Sequence, residues 1–244
     1  MSKDPNEGYN FDLKKEEIKR IFGTPEHKEY SERKKKTQIR KQKVYKFTSI
    51  GNSQPIVRTL ILINVPLFIL SLIFPQMFTW FASYNITSPD FRIWQPLTSM
   101  FLHGGWIHLA INMFVLWSFG NQLEQILTTK KFLTLYFFGG LISGILWMFL
   151  GFGPAVGASG ALCGLVASFV FIAPESKVLL FFIIPCKIKT CVYGFAGVSL
   201  LFGILSLINP SYGFGIAHFG HLGGLIGGYL LTYYWKSKNL IQTF

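Results

Sequence analysis

Charge is what this sequence has least of. Of its 244 residues 14% are charged, against about 25% in an ordinary soluble domain, so water cannot be the solvent for most of its surface. The charge it has is crowded at one end. Most of the Lys and Arg, and most of the acids, precede residue 56, and beyond it the chain is mainly apolar runs with short breaks. Cysteine is scarce too. Cys163, Cys186 and Cys191 lie in or beside apolar segments without C-x-x-C spacing, which leaves no basis for a disulfide framework or a structural zinc site. The first residues lack the short basic start and apolar core of a signal peptide. They are polar and rich in Asp and Glu, which also argues against a mitochondrial transit peptide. There is neither an internal repeat nor a low-complexity tract.

What is present is apolar length. A helix needs about 20 apolar residues to cross a bilayer. Six candidate spans can be read at about 57–74, 106–122, 132–150, 159–173, 190–208 and 217–235. The reading is an all-α, polytopic membrane protein. Residues 1–55 form a basic cytoplasmic extension, 56–236 a six-helix membrane domain, and 237–244 a short cytoplasmic tail. The apolar stretch VLLFFII at 178–184, bounded by Pro174 and Pro185, is expected to be an interfacial loop rather than a seventh span. Within the extension, residues 11–22 show some helical periodicity through Leu13, Ile18, Ile21 and Phe22.

The loop charges test this count. With the N-terminus inside, the cytoplasmic connections hold Lys130 and Lys131, then Lys177, Lys187 and Lys189, and the tail holds Lys236 and Lys238. The outer connections hold Arg92 as their one Lys or Arg. That asymmetry follows the positive-inside rule and puts both termini in the cytoplasm, with a bacterial inner membrane as the expected location. The net charge of +12 owes much to the cluster Arg33, Lys34, Lys35, Lys36, Arg40, Lys41, Lys43 and Lys46. Placed just before the first span, it reads as an orientation signal touching anionic lipid, not as a nucleic-acid surface. The outer connection at 75–105, with Trp80, Phe81, Tyr84 and Trp94, and Trp106 just beyond it, suits a loop half-immersed at the membrane–water interface.

Polar side chains inside spans are functional candidates, because an unpartnered polar group in lipid costs several kcal/mol. Three groups stand out. His108 and Asn112, four residues apart in span two, share a helix face; interhelical hydrogen bonding would explain them equally well. The tetrad GASG places Ser159 between Gly157 and Gly160 at the start of span four, where free backbone N–H groups and the helix dipole favour negative charge. Gly160 and Gly164 also make a G-x-x-x-G packing pair. Span six opens with His218 and His221, followed by Gly224 and Gly228 at the same spacing. Either histidine could be a buried hydrogen bonder. A metal site is disfavoured, since H-E-x-x-H is absent and no acid lies in this span. In the six-span topology His108, Ser159 and His221 each fall within about one turn of the outer membrane face.

A serine becomes a nucleophile when a neighbouring base takes its proton, and neutral histidine suits that task. Asp90 lies in the outer loop and Glu124 at the inner end of span two, so no carboxylate shares that depth and a Ser–His dyad is the economical reading. The backbone N–H of Ser159 with the side chains of His108 and Asn112 could supply oxyanion donors. No cofactor is implied. His221, rather than His218, is expected to be the base: it lies nearly a turn deeper and leads into Gly224 and Gly228. His218 is expected near the outer end, where water can satisfy its ring. Two other classes fit less well: a non-catalytic binder of membrane clients, and a channel using the histidines as a proton path. The first would be expected to lack the serine or the histidine. The second leaves GASG unexplained.

Taken together, the motifs resemble the rhomboid family of intramembrane serine proteases. The family's H-x-x-x-N, G-x-S-G and H-x-x-G-x-x-x-G are matched by His108/Asn112, by Gly157/Ser159/Gly160 and by His221/Gly224/Gly228, in order and on spans two, four and six. FRIWQPLTSMFLH in the outer loop and GNQLE, ending at Glu124, look similar too, and the resemblance covers about 56–235. It implies Ser159 as nucleophile, His221 as general base, His108 and Asn112 at the oxyanion hole, and transmembrane protein segments as substrates in the lipid bilayer. It also implies span five, with the loop before span six, as gate and cap. Two positions depart from the family's pattern. Cys163 stands where many members carry an aromatic four residues after the serine, and Gln95 follows Trp94 where Arg is frequent.

Overall fold

The computed structural model describes residues 29, 32, 54–180, 183–241 and 243–244. The 11–22 periodicity and the basic cluster of 33–46 lie outside the described residues. The unit from Asn52 to Phe244 is built almost wholly of helices.

Helix α1 (Pro55–Ile73) starts with proline at its first position, where the missing N–H costs nothing. Its next free donors are met from another helix. Glu124 accepts the N–H groups of Ile56 and Val57 at 3.0 and 2.9 Å, and Asn121 Oδ1 accepts that of Gln54 at 2.7 Å. The outer connection follows as α2 (Gln76–Phe81), α3 (Gln95–Thr98) and a 3₁₀ turn (Ser99–Phe101). Gln95 is fully buried and ties this loop together. Its amide donates to the carbonyls of Asp90 and Thr79 and accepts the Arg92 N–H. Trp80 and Trp94 stay exposed, joined by the Trp94 Nε1–H to the Trp80 carbonyl at 3.0 Å.

The second span is one continuous helix in two parts, α4 (Trp106–Val115) and α5 (Asn121–Ile126), joined by a π turn (Leu116–Gly120). Next come α6 (Thr129–Leu150) and α7 (Ser159–Ile172). The VLLFFII stretch then falls in a β-hairpin of β1 (Lys177–Leu180) and β2 (Ile184–Lys187), with Lys177 paired to Lys187 and Val178 to Cys186. The fold is mostly helical, as expected, with this two-stranded hairpin added. An apolar run too short for a helix folds back on itself, because pairing satisfies its backbone donors. At its base Glu175 meets Lys187 at 2.6 Å and also pairs with Lys189. Hydrogen bonds from those two lysines hold its carboxyl down to about 2. Helices α8 (Ile188–Ile208) and α9 (His218–Ser237) complete the unit, linked by a 3₁₀ turn (Pro210–Gly213).

Among the described residues α1, α6 and α8 are long and apolar enough to cross a membrane, and the bent pair Gln95–Phe101 with Trp106–Ile126 makes a possible fourth. The 14-residue α7 reaches about 21 Å, short of the roughly 30 Å hydrocarbon core. It sits inside protein instead, with both Ala161 and Leu165 fully buried. Helix α9 has the length, but its glycines and histidines dilute its apolar character. It packs against both α6 and α7, and the contact is backbone to backbone. A Cβ added at Gly224 would strike the carbonyl of Gly160, and one at Gly228 the carbonyl of Gly164.

Candidate active site

The loop ahead of α7 is pinned before the serine is reached. Ser83 and Ala155 exchange two backbone hydrogen bonds of 2.8 Å, and the Gly157 N–H donates to the Ser99 carbonyl at 2.9 Å. Gly157 has φ +122°, a conformation that favours glycine. A Cβ there would also lie 2.7 Å from the His108 ring. One glycine thus makes the turn into α7 and leaves room for the imidazole beside it. Ser159 follows as the first residue of α7, where backbone N–H groups lack helical partners.

His221 lies in the first turn of α9, its N–H bonded to the Ala217 carbonyl at 2.9 Å. Its Nε2 is 2.9 Å from Ser159 Oγ. The close seat of α9 on α7 through Gly224 and Gly228 makes that distance possible. Nδ1 of His221 has no hydrogen-bond partner among the described residues. Phe195 of α8 packs beside the ring, tilted by 38° to it with centroids 5.5 Å apart.

The structure brings His108 to the same place. Its Nδ1 accepts the Gly104 N–H at 3.3 Å, so the proton of the neutral ring belongs on Nε2, the nitrogen nearer Gly157. Asn112 behaves differently. It is buried, and its amide donates to the His108 carbonyl one turn back at 2.9 Å. No hydrogen bond joins it to Ser159 or His221 among the described residues.

His218 corrects an expectation. It is 6% exposed, not open to water, because Phe202 of α8 stacks on its ring at 5.6 Å. Neighbours on one helix surface, His218 and His221 pack against residues of another helix, which their spacing cannot disclose. His103 was missed altogether. It is fully buried, its ring edge-on to His108 at 5.3 Å, and neither nitrogen has a hydrogen-bond partner among the described residues. The signal for it was the pair of histidines five residues apart in HGGWIH. Cys163 is half-buried in the apolar core on α7. Behind Ser159 lies a cavity of about 30 Å³, lined among others by Ser83, Ser99, Ser143, Trp147 and His221, room for a water molecule or two.

A family model for the Rhomboid domain matches residues 90–238. The chain belongs to the rhomboid family. It is 30% identical over 139 residues to Rhomboid protease GluP of Bacillus subtilis, covering 56% of this chain and 25% of that protein. It is 28% identical over 158 residues to Rhomboid-like protease 3 of Toxoplasma gondii, covering 64% and 57%. Over 208 residues it is 28% identical to the human Presenilin-associated rhomboid-like protein, mitochondrial, covering 79% and 52%. This rhomboid therefore spans between a quarter and just over half of the length of these relatives. Membership, together with its long apolar helices, makes it an integral membrane protein. Among its described residues no cluster of three or more His, Cys, Asp or Glu could hold a metal ion.

Proposed function

We propose that this rhomboid is an active serine endopeptidase that cuts transmembrane segments of other proteins with a Ser159–His221 dyad. The observation that carries the reading is the 2.9 Å separation of His221 Nε2 and Ser159 Oγ, within reach for proton transfer. With the hydroxyl donating, Nε2 is the acceptor and Nδ1 holds the ring proton. Attack of Oγ on the scissile carbonyl passes the serine proton to Nε2 and puts negative charge on the carbonyl oxygen. The Ser159 N–H and the His108 Nε2–H supply donors for it, and Asn112 lines the same side after a rotation of its amide. The imidazolium returns its proton to the leaving amine, which departs and leaves an acyl-serine. Water then gives a proton to Nε2 and attacks the ester, and Nε2 passes that proton to Oγ as the acid departs, which restores Ser159 and the neutral imidazole. The cavity behind Ser159 suits that water.

In this reading the membrane domain has six spans: α1, α4 with α5, α6, α7, α8 and α9. The short α7 is central, and the Lys distribution among the connections supports a cytoplasmic side for both termini. The decisive experiment incubates purified protein in detergent with a tagged single-span substrate, wild type beside Ser159→Ala. Cleavage by wild type and none by the variant is the expected result. Ser168→Ala is the control, because Ser168 is fully buried and its hydroxyl is bonded to the Leu165 carbonyl at 2.6 Å. Cleavage by Ser159→Ala would end this proposal, and a folded wild type that binds substrate without cutting it would favour a client-binding role.

A further inference from the structure

We propose that Phe195 of α8 is a positioning residue for His221, holding the imidazole against Ser159 by packing where a second hydrogen bond is lacking. The inference rests on His221 being the base. A catalytic histidine is ordinarily held at both nitrogens, with a carboxylate on Nδ1. Here Nε2 faces Ser159 and Nδ1 has no partner among the described residues. One hydrogen bond leaves the ring free to turn about it. Packing against the ring removes that freedom, and Phe195 supplies it.

The placement follows from the sequence of α8. Ile188, Val192, Phe195, Ser199, Phe202 and Ser206 recur at alternating intervals of four and three, the period of a helix that keeps one seam against a partner. Three of them, Ile188, Val192 and Ser199, are buried. The seam meets α9 in antiparallel order. Phe195 lies on His221, Phe202 on His218, and Gly203 against the Phe219 ring. Both aromatic knobs of the seam therefore land on histidines. Helix α8 is also the least covered of the three long apolar helices: 17% of its apolar window is buried, against 28% for α1 and for α6. The base is thus oriented by the long helix whose seat rests on the smallest buried share.

The test uses the full-length protein with two readouts: cleavage of a tagged single-span substrate, and the rate of Ser159 labelling by a fluorophosphonate. The second requires nucleophile and base without docking of a substrate helix. Phe195→Ala is expected to lower kcat about 10- to 100-fold, the scale of a small misplacement of a catalytic group, with KM little changed and the labelling rate falling in parallel. Phe195→Leu, which keeps most of the packing volume, should retain most of the rate. Phe202→Ala reads general loosening of the same seam and should label near the wild-type rate. A wild-type labelling rate in Phe195→Ala, a change confined to KM, or an equal loss in Phe202→Ala would each overturn the proposal. If the alanine variant does not fold, Phe195→Val is read instead. It should label more slowly than Phe195→Leu, and a wild-type rate there is equally fatal. His221→Ala separates the two readings. Normal labelling without His221 removes the base assignment itself, whereas loss of labelling there with normal labelling in Phe195→Ala removes the positioning role alone.

Discussion

Helix α9 is held differently on its two sides. Toward α7 and α6 the contact is glycine against backbone: Gly224 over the Gly160 carbonyl, Gly228 over that of Gly164, Gly223 over that of Ile142. Toward α8 it is side chain against side chain, with Phe195 and Phe202 on the two histidines. Backbone contacts have no rotamers to change, so the first side fixes the depth and register of α9 on α7, and with them the distance from His221 to Ser159. Aromatic packing can be undone by moving one helix. The second side therefore fixes only the orientation of a ring. The rigid face sets how far His221 stands from Ser159, and the softer face sets how its ring is turned, the two conditions that the proposed dyad needs.

The largest expected effect separates the two histidines. His221→Ala should reduce cleavage to background, since a general base contributes about 100- to 10,000-fold. His218→Ala should keep substantial activity, although it vacates a buried place under Phe202 and so should lower thermal stability as well. A gel assay with melting curves in detergent reads both. The reverse pattern, an active His221→Ala and an inactive His218→Ala, would move the base and break the link between the glycine face and the dyad.

Next comes the rigid face itself. Gly228→Val puts two methyl groups and a Cβ where the Gly164 carbonyl now lies, and backbone cannot rotate out of the way. Overpacking of this kind costs about 1–3 kcal/mol, occasionally more. The expected outcome is a clear fall in melting temperature and loss of cleavage even though Ser159 and His221 are untouched. A stable, active Gly228→Val would show that α9 reaches Ser159 without this contact.

The rigid face was legible because its signal is local. Glycines four residues apart on one apolar helix lie on one face, and two such pairs, Gly160/Gly164 and Gly224/Gly228, suggest mutual approach. The softer face was hidden for the opposite reason. In a helix apolar all round, no amphipathic contrast marks the buried side, so Phe195 and Phe202 look like lipid-facing residues until α9 is seen beside them. The burial of His218 was missed with them. The hairpin at Lys177–Lys187 was masked by its apolar composition, which short strands and helix segments share. Glu124 was placed at an inner helix end, yet its partners, the Ile56 and Val57 N–H groups, are distant in sequence and carry no side-chain signature.

Glu124 gives a smaller effect remote from both faces. Glu124→Gln keeps the shape but removes the charge and one of the two acceptors at the start of α1. Loss of a helix cap costs about 0.5–2 kcal/mol, so melting should drop modestly while cleavage per folded molecule stays near wild type. A selective loss of activity at unchanged stability would contradict this structural role.

The smallest effect has the opposite sign and bears most directly on the comparison. Gly194 and Gly197 flank Phe195 on α8, and a Cβ added at either meets nothing within 4 Å. Adding that one carbon therefore creates no clash, and it restricts a backbone that glycine leaves loose. Glycine inside a helix is less favourable than alanine by roughly 0.5–1 kcal/mol. Gly194→Ala and Gly197→Ala should leave the melting temperature unchanged or raise it slightly, whereas Gly228→Ala, the same chemical change on the other side of α9, should lower it because its Cβ meets the Gly164 carbonyl. Melting curves of the three variants in one detergent decide the matter. If all three fall together, the glycines of α8 are also packed against a neighbour, and the distinction between a rigid and a soft side of α9 is lost.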